Sequence, residues 1–268
     1  MANFIVDDIY EFNYKNTYFL YNYLSHEEKY NSSTETNFYN GNNILSFLGS
    51  GLSVSSSGYF NGGKIDAIYL TTSFRKVYIS EMDVSAALIS SLARKNTADS
   101  MSEIFKNIFS GDDDITLGLG SDIVDAFGGD DVIRGRGGND TIVAGAGDDA
   151  IFGGTGMDKL TGGAGADIFV FDTKASSKNI DTITDFSVKS DVIALDHLMF
   201  RALSKAGNLS SSAFHVGAKA ADASDRIIYN KNDGSLYYDV DGVGSVAAIK
   251  FAILDKGLAL TAGHFDIL

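Results

Sequence analysis

Between residues 111 and 169 an aspartate recurs at every ninth position: Asp113, Asp122, Asp131, Asp140, Asp149, Asp158 and Asp167. Two positions before each stands a glycine (Gly111, Gly120, Gly129, Gly138, Gly147, Gly156 and Gly165). Two positions after each stands a large apolar residue: Ile115, Val124, Ile133, Ile142, Ile151, Leu160 and Phe169. Three columns held in phase over seven copies make a true repeat, and a repeat this short admits few folds. A flexible Gly/Asp linker has no apolar column at fixed phase. A dinucleotide-binding loop needs a third glycine and a βαβ setting, and the GxG strings here have neither.

Each column has a physical role. The glycine permits a sharp turn, because positive φ costs it nothing. The apolar residue sits in a short strand and points inward. One nine-residue unit is therefore a turn and a strand, half a coil, and two units of 18 residues close the coil. A single unit cannot bury its apolar residue, but stacked coils can. The expectation is a parallel β-roll with that Ile/Val/Leu/Phe column inside.

Stacking also sets the aspartates in two rows. One holds Asp113, Asp131, Asp149 and Asp167, and the other Asp122, Asp140 and Asp158. Carboxylates one strand spacing apart, roughly 4.8 Å, repel. A hard dication between neighbours removes the repulsion, and the turn carbonyls, those of the glycine column among them, complete its oxygen shell. Calcium, with six or more oxygens in a flexible shell, suits this better than magnesium. Three gaps in one row and two in the other allow about five interior ions.

The charge follows the same pattern. The formal net charge is -14, and residues 111–196 hold 17 acids, every one an Asp, against 6 bases. An acidic chain is a poor partner for nucleic acid. Most of this acidity is better read as a store of metal ligands. The chain has no Cys and no Pro, which excludes disulfides, thiolate catalysis and Cys-ligated zinc. No run approaches 18 apolar residues, and Asp7, Asp8 and Glu11 interrupt any N-terminal leader.

These residues resemble the nonapeptide GGxGxDxUx of the RTX (repeats-in-toxin) proteins, U being a large apolar residue. The match covers about residues 109–171, with GGTGMDKLT (153–161) and GGAGADIFV (162–170) the best copies. LGLGSDIVD (117–125) and AFGGDDVIR (126–134) lack one or both leading glycines. Residues 162–196 further resemble the β-roll end of serralysin-type proteins. That resemblance implies a calcium role for Asp181, with Asp172, Asp185 and Asp191 as weaker candidates; Asp191 reads equally as a turn residue. It also implies a secreted, extracellular or cell-surface protein, exported unfolded by type I secretion machinery without an N-terminal signal peptide, and folding where calcium is abundant. A chain without Cys or Pro suits that route, since slow prolyl isomerisation is absent.

The flanks are less informative. In the C-terminal stretch DRIIYN, SLYYDV and VAAIKFAIL, separated by KNDG and DGVG, predict a three-strand antiparallel meander. DVDG (239–242) lacks the remaining acids of a calcium loop and reads as a turn. In the N-terminal part ILSFL, GLSVSSSGYF and KIDAIYLTT predict strands, while VSAALISSLARKN (84–96) and SMSEIFKNIF (100–109) predict helices. The fold expected is thus mainly β: a parallel RTX β-roll over 109–172, an N-terminal α+β capping or ligand-binding domain over 1–108, and a C-terminal antiparallel β meander with the secretion signal over 173–268. The four histidines show no metal spacing, and HExxH, GxSxG and P-loop motifs are all absent from the sequence. The expected protein is non-enzymatic and binds calcium. It serves in adhesion, a matrix or host interaction, with carbohydrate or a cell-surface protein as partner of residues 1–108. The alternatives are a small membrane-active toxin or bacteriocin, or a small polysaccharide hydrolase built on Glu pairs such as Glu27 and Glu28.

Overall fold

A computed structural model describes residues 109–203 and 206–268, Lys106, and seven strands that precede them. Those strands are β1 (Asn3–Asp7), β2 (Glu28–Asn31), β3 (Glu35–Asn40), β4 (Asn43–Val54), β5 (Phe60–Thr71), β6 (Lys76–Ser80) and β7 (Val84–Ser85). β2 to β6 pair antiparallel in chain order, and β1 pairs antiparallel with β6. β4 and β5 fall where alternation in the sequence predicts strands. The helices expected over 84–96 and 100–109 lie largely outside the described residues. In their described parts, Val84–Ser85 pairs with β5, Lys106 is helical, and Phe109–Ser110 forms a bend.

The repeat folds as its spacing dictates. Its strands are β8 (Asp114–Thr116), β9 (Ile123–Asp125), β10 (Val132–Arg134), β11 (Thr141–Ala146), β12 (Ala150–Phe152), β13 (Lys159–Ala164) and β14 (Ile168–Phe171). They alternate between two parallel sheets, so strands one full coil apart are neighbours. In one sheet Ile115, Ile133, Ile151 and Phe169 are in register; in the other Val124, Ile142 and Leu160. All seven are buried. The short strands β8, β9, β10 and β12 each bury only their middle residue, which is the U column of the repeat. β1 pairs parallel with β8 at the first coil.

Both sheets continue past residue 172. β15 (Asp181–Ile183) pairs parallel with β13, and β16 (Val192–Leu195) with β14. The period lengthens here: Asp181 follows Asp167 by 14 residues, and Asp191 follows Asp181 by 10. A loop bridged between Ser176 and Asn179 lies within the longer interval. The turn thus takes the extra residues, and the strands keep their stacking.

The C-terminal part closes the roll. It comprises β17 (Gly207–Asn208), β18 (Phe214–Val216), β19 (Ile227–Asn230), β20 (Ser235–Tyr238), β21 (Ile249–Ile253) and β22 (Phe265–Ile267). β19, β20 and β21 form the expected antiparallel meander. The meander is not free-standing, because β21 adds parallel to β15 and β22 adds parallel to β16. The aliphatic interior of the coils widens here into aromatic packing. Phe171 meets Phe251 edge-on at 5.1 Å, and Phe200 meets Phe251 at 5.3 Å and Tyr238 at 5.0 Å. Among the described residues no helix is long and apolar enough to cross a membrane.

Candidate metal centre

The aspartates form two hydrogen-bonded ladders running along the roll. In the first row the amide of Asp113 donates to Asp131 Oδ1 at 2.8 Å, Asp131 to Asp149 at 2.8 Å, Asp149 to Asp167 at 3.2 Å, and Asp167 to Asp191 at 3.3 Å. In the second row Asp122 donates to Asp140 at 2.8 Å, Asp140 to Asp158 at 2.8 Å, and Asp158 to Asp181 at 3.1 Å. The rows are those the 18-residue coil predicts, each extended by one residue.

All nine aspartates are buried, none more than 5% exposed. A buried carboxylate needs partners for both oxygens. From Asp131 and Asp140 onward, Oδ1 has the backbone amide of the preceding coil. The Oδ2 atoms of Asp131, Asp140, Asp149, Asp158 and Asp167 are buried and accept no hydrogen bond. One orphaned oxygen recurring along two rows is a pattern that a positive charge between the coils would satisfy.

The electrostatics agree. Burial, aided by the neighbouring carboxylates of each row, pushes Asp131 and Asp140 up to about 8. Burial likewise lifts Asp149 and Asp167 to about 6, against the pull of the amide each one accepts. Asp158 and Asp181 act on one another and are both raised by burial. When ionised, these groups repel. A dication supplies what the fold lacks there.

Carboxylates alone do not make the site. Among the described residues no three His, Asp or Glu side chains converge on one point. An ion between two coils therefore has two carboxylates at most, and backbone oxygens must supply the rest. That donor set is hard and all-oxygen, which fits calcium. Asp131, Asp140, Asp149, Asp158, Asp167 and Asp181 would hold it, with Asp113, Asp122 and Asp191 at the ends of the rows.

The glycine column has a second reason beyond turn geometry. Gly129, Gly138, Gly147, Gly156 and Gly165 have φ between 114° and 148°. At Gly156 a Cβ would also run into the carbonyl of Gly138 in the preceding coil. Gly111 and Gly120 are not among the positive-φ residues, and a Cβ on Gly111 would meet nothing within 4 Å. Gly111 itself thus meets no backbone that enforces glycine, although Gly129 and Gly138 of the next coil approach Gly111 and Gly120 closely.

Two further features escape the periodic reading. Asp191 joins the first ladder and also accepts from the Ser187 amide at 2.8 Å, so it is both ladder member and turn residue. Its 24-residue distance from Asp167 hides it from an 18-residue search. Gly153 leaves room beside the orphaned Asp158 oxygen: a Cβ there would lie 2.6 Å from Asp158 Oδ2, and 3.2 Å from Asp181 Oδ2. The leading glycine of the repeat is the signal for that space. Of the other candidates, Asp185 accepts from Gly162 at 3.0 Å and Gly163 at 2.8 Å, and Asp172 is exposed, so neither enters a ladder.

Comparison with protein families agrees with this architecture. The profile of the family described as Peptidase M10 serralysin C terminal matches residues 104–245, more than half of the chain. Among solved structures the chain is similar to the AlgE6R3 subunit from the Azotobacter vinelandii mannuronan C5-epimerase, with 26% identity, coverage of 58% of this chain and 78% of that one, and a TM-score of 0.26. No curated protein matches it.

Proposed function

We propose, from the premise that the chain belongs to the serralysin C-terminal family of RTX-type β-rolls, that it is an exported, non-enzymatic protein whose roll folds on calcium. The observation that carries this is the recurrence of buried, partnerless Asp Oδ2 atoms in both rows. Bound calcium supplies positive charge that cancels carboxylate repulsion. The chain's own residues do the rest. The Oδ1 ladder fixes each carboxylate against the next coil, and the inward apolar column excludes water.

The five to seven gaps of the two rows set the number of ions. The apolar column cannot stack while the rows repel, so metal-free chain stays open for type I export. Calcium outside the cell then drives the roll together. The folded protein works at a cell surface or in a matrix, and residues 1–108 carry the contact with carbohydrate or a surface protein.

The reading is tested on the full chain. Isothermal calorimetry in metal-free buffer is expected to show several calcium ions per chain, with heat and circular dichroism changing together. A glycan array probed with the calcium-loaded chain, with an EDTA-treated sample as control, tests the contact role. Absence of calcium binding overturns the first part, and a blank array the carbohydrate half of the second.

A further inference from the structure

The two edges of the roll carry different second ladders, one residue before each buried aspartate. At the first-row edge these are acids. The Asp130 amide donates to Asp112 Oδ1 at 3.0 Å, the Asp148 amide to Asp130 Oδ1 at 2.8 Å, and the Ala166 amide to Asp148 Oδ1 at 2.7 Å. At the second-row edge the same positions are neutral: the Asn139 amide donates to Ser121 Oγ at 3.0 Å, and the Met157 amide to Asn139 Oδ1 at 2.9 Å. Asp112, Asp130 and Asp148 are exposed, and each neighbours a buried first-row carboxylate.

The mechanical job of the outer ladder needs no charge, because Ser121 and Asn139 perform it. The three carboxylates are therefore surplus to stacking. Their field reaches inward by position: each stands one residue from a buried first-row carboxylate (Asp113, Asp131 or Asp149), whereas Ser121, Asn139 and Met157 stand beside the second row. The Oδ2 atoms of Asp131 and Asp149, on residues each 1% exposed, are the partnerless oxygens that this field surrounds.

We propose that Asp112, Asp130 and Asp148 form an outer electrostatic rail that raises the calcium affinity of the first row alone. This rests on the calcium reading above. The rail draws the dication without touching it, so its effect is screened by salt, as that of a buried ligand is not. It makes the two edges of the roll unequal: one tuned by ionic strength, the other set by its buried donors. The ladder ends at Ala166, where the first row leaves its 18-residue period.

The test is a calcium titration of the full chain, followed by calorimetry and circular dichroism, at low and at high ionic strength. Asp112→Asn, Asp130→Asn and Asp148→Asn together keep the accepting oxygens and remove three charges. The calcium midpoint is expected to rise at least about threefold at low salt and to approach wild type near 1 M salt. A control removing three distant exposed acids, Asp222→Asn, Asp233→Asn and Asp255→Asn, is expected to shift it by less than about twofold. The reverse change, Ser121→Asp with Asn139→Asp, is expected to lower the midpoint, and it keeps the proposal falsifiable if the triple variant folds poorly. Equal shifts for rail and control variants, or a rail effect that salt leaves unchanged, overturn the rail while calcium binding stands. A wild-type chain that binds no calcium overturns both.

Discussion

At the residue scale the rows of buried aspartate set the behaviour. Asp131, Asp140, Asp149, Asp158 and Asp167 each accept an amide through Oδ1, which partly offsets burial but leaves Oδ2 with nothing. The metal-free roll then has a definite pH dependence. A carboxyl raised in the folded state binds a proton that the unfolded chain, with its ordinary value near 4, has released. Stability is present below about 4 and lost as pH rises through about 6 and then 8, the values for Asp149 and Asp167 and for Asp131 and Asp140. In EDTA, circular dichroism is expected to show more β structure at pH 5 than at pH 8. A metal-free chain that gains structure with rising pH contradicts this sign. Changing Asp140 and Asp149 to Ala together is expected to weaken calcium binding in both rows, because each lies between two neighbours in its ladder. Calorimetry reads this as fewer ions or lower affinity. Backbone strain gives an independent check. Arg136 is exposed and holds φ at 67°, at a position where later copies have Gly145, Gly154 and Gly163 in the same left-handed region. Arg136→Gly is expected to stabilise the loaded roll by about 0.5–1 kcal/mol in thermal melts. Gly156→Ala is expected to destabilise it strongly, since its Cβ meets the Gly138 backbone.

At the element scale the sequence was most legible where one residue type does one job at a fixed interval. The U column, the assignment of Asp113 to Asp167 to alternate rows and the parallel pairing all follow from nine-residue spacing. What escaped lies where the interval breaks. Asp191 stands six residues beyond its periodic place, and the insertion that displaces it is a turn, invisible to a strand-based count. The meander was legible as three strands, but its parallel junctions with β15 and β16 were not, because they join segments about 70 residues apart in the chain. Those junctions are mechanically important. Phe265 is fully buried in β22, against the last coil. Phe265→Ala is expected to cost about 3–5 kcal/mol and to raise the calcium concentration needed to fold the roll. An unchanged calcium midpoint in that variant means the roll folds without its C-terminal closure.

At the scale of the whole molecule the roll concentrates negative charge, which the proposed calcium would cancel on folding. Residues 111–196 carry 11 of the 14 net negative charges, and their acids are mostly inside the fold. On the calcium reading proposed above, such a chain is expected to be open without metal and closed with it. Hydrogen exchange at the ladder amides of Asp113, Asp122, Asp131, Asp140, Asp149 and Asp158, measured on the full chain at pH 7.5 in EDTA and in millimolar calcium, separates them. Fast exchange in EDTA, with protection appearing at all six amides on adding calcium, is the result the ladders predict. Equal protection in both conditions contradicts a roll that calcium closes.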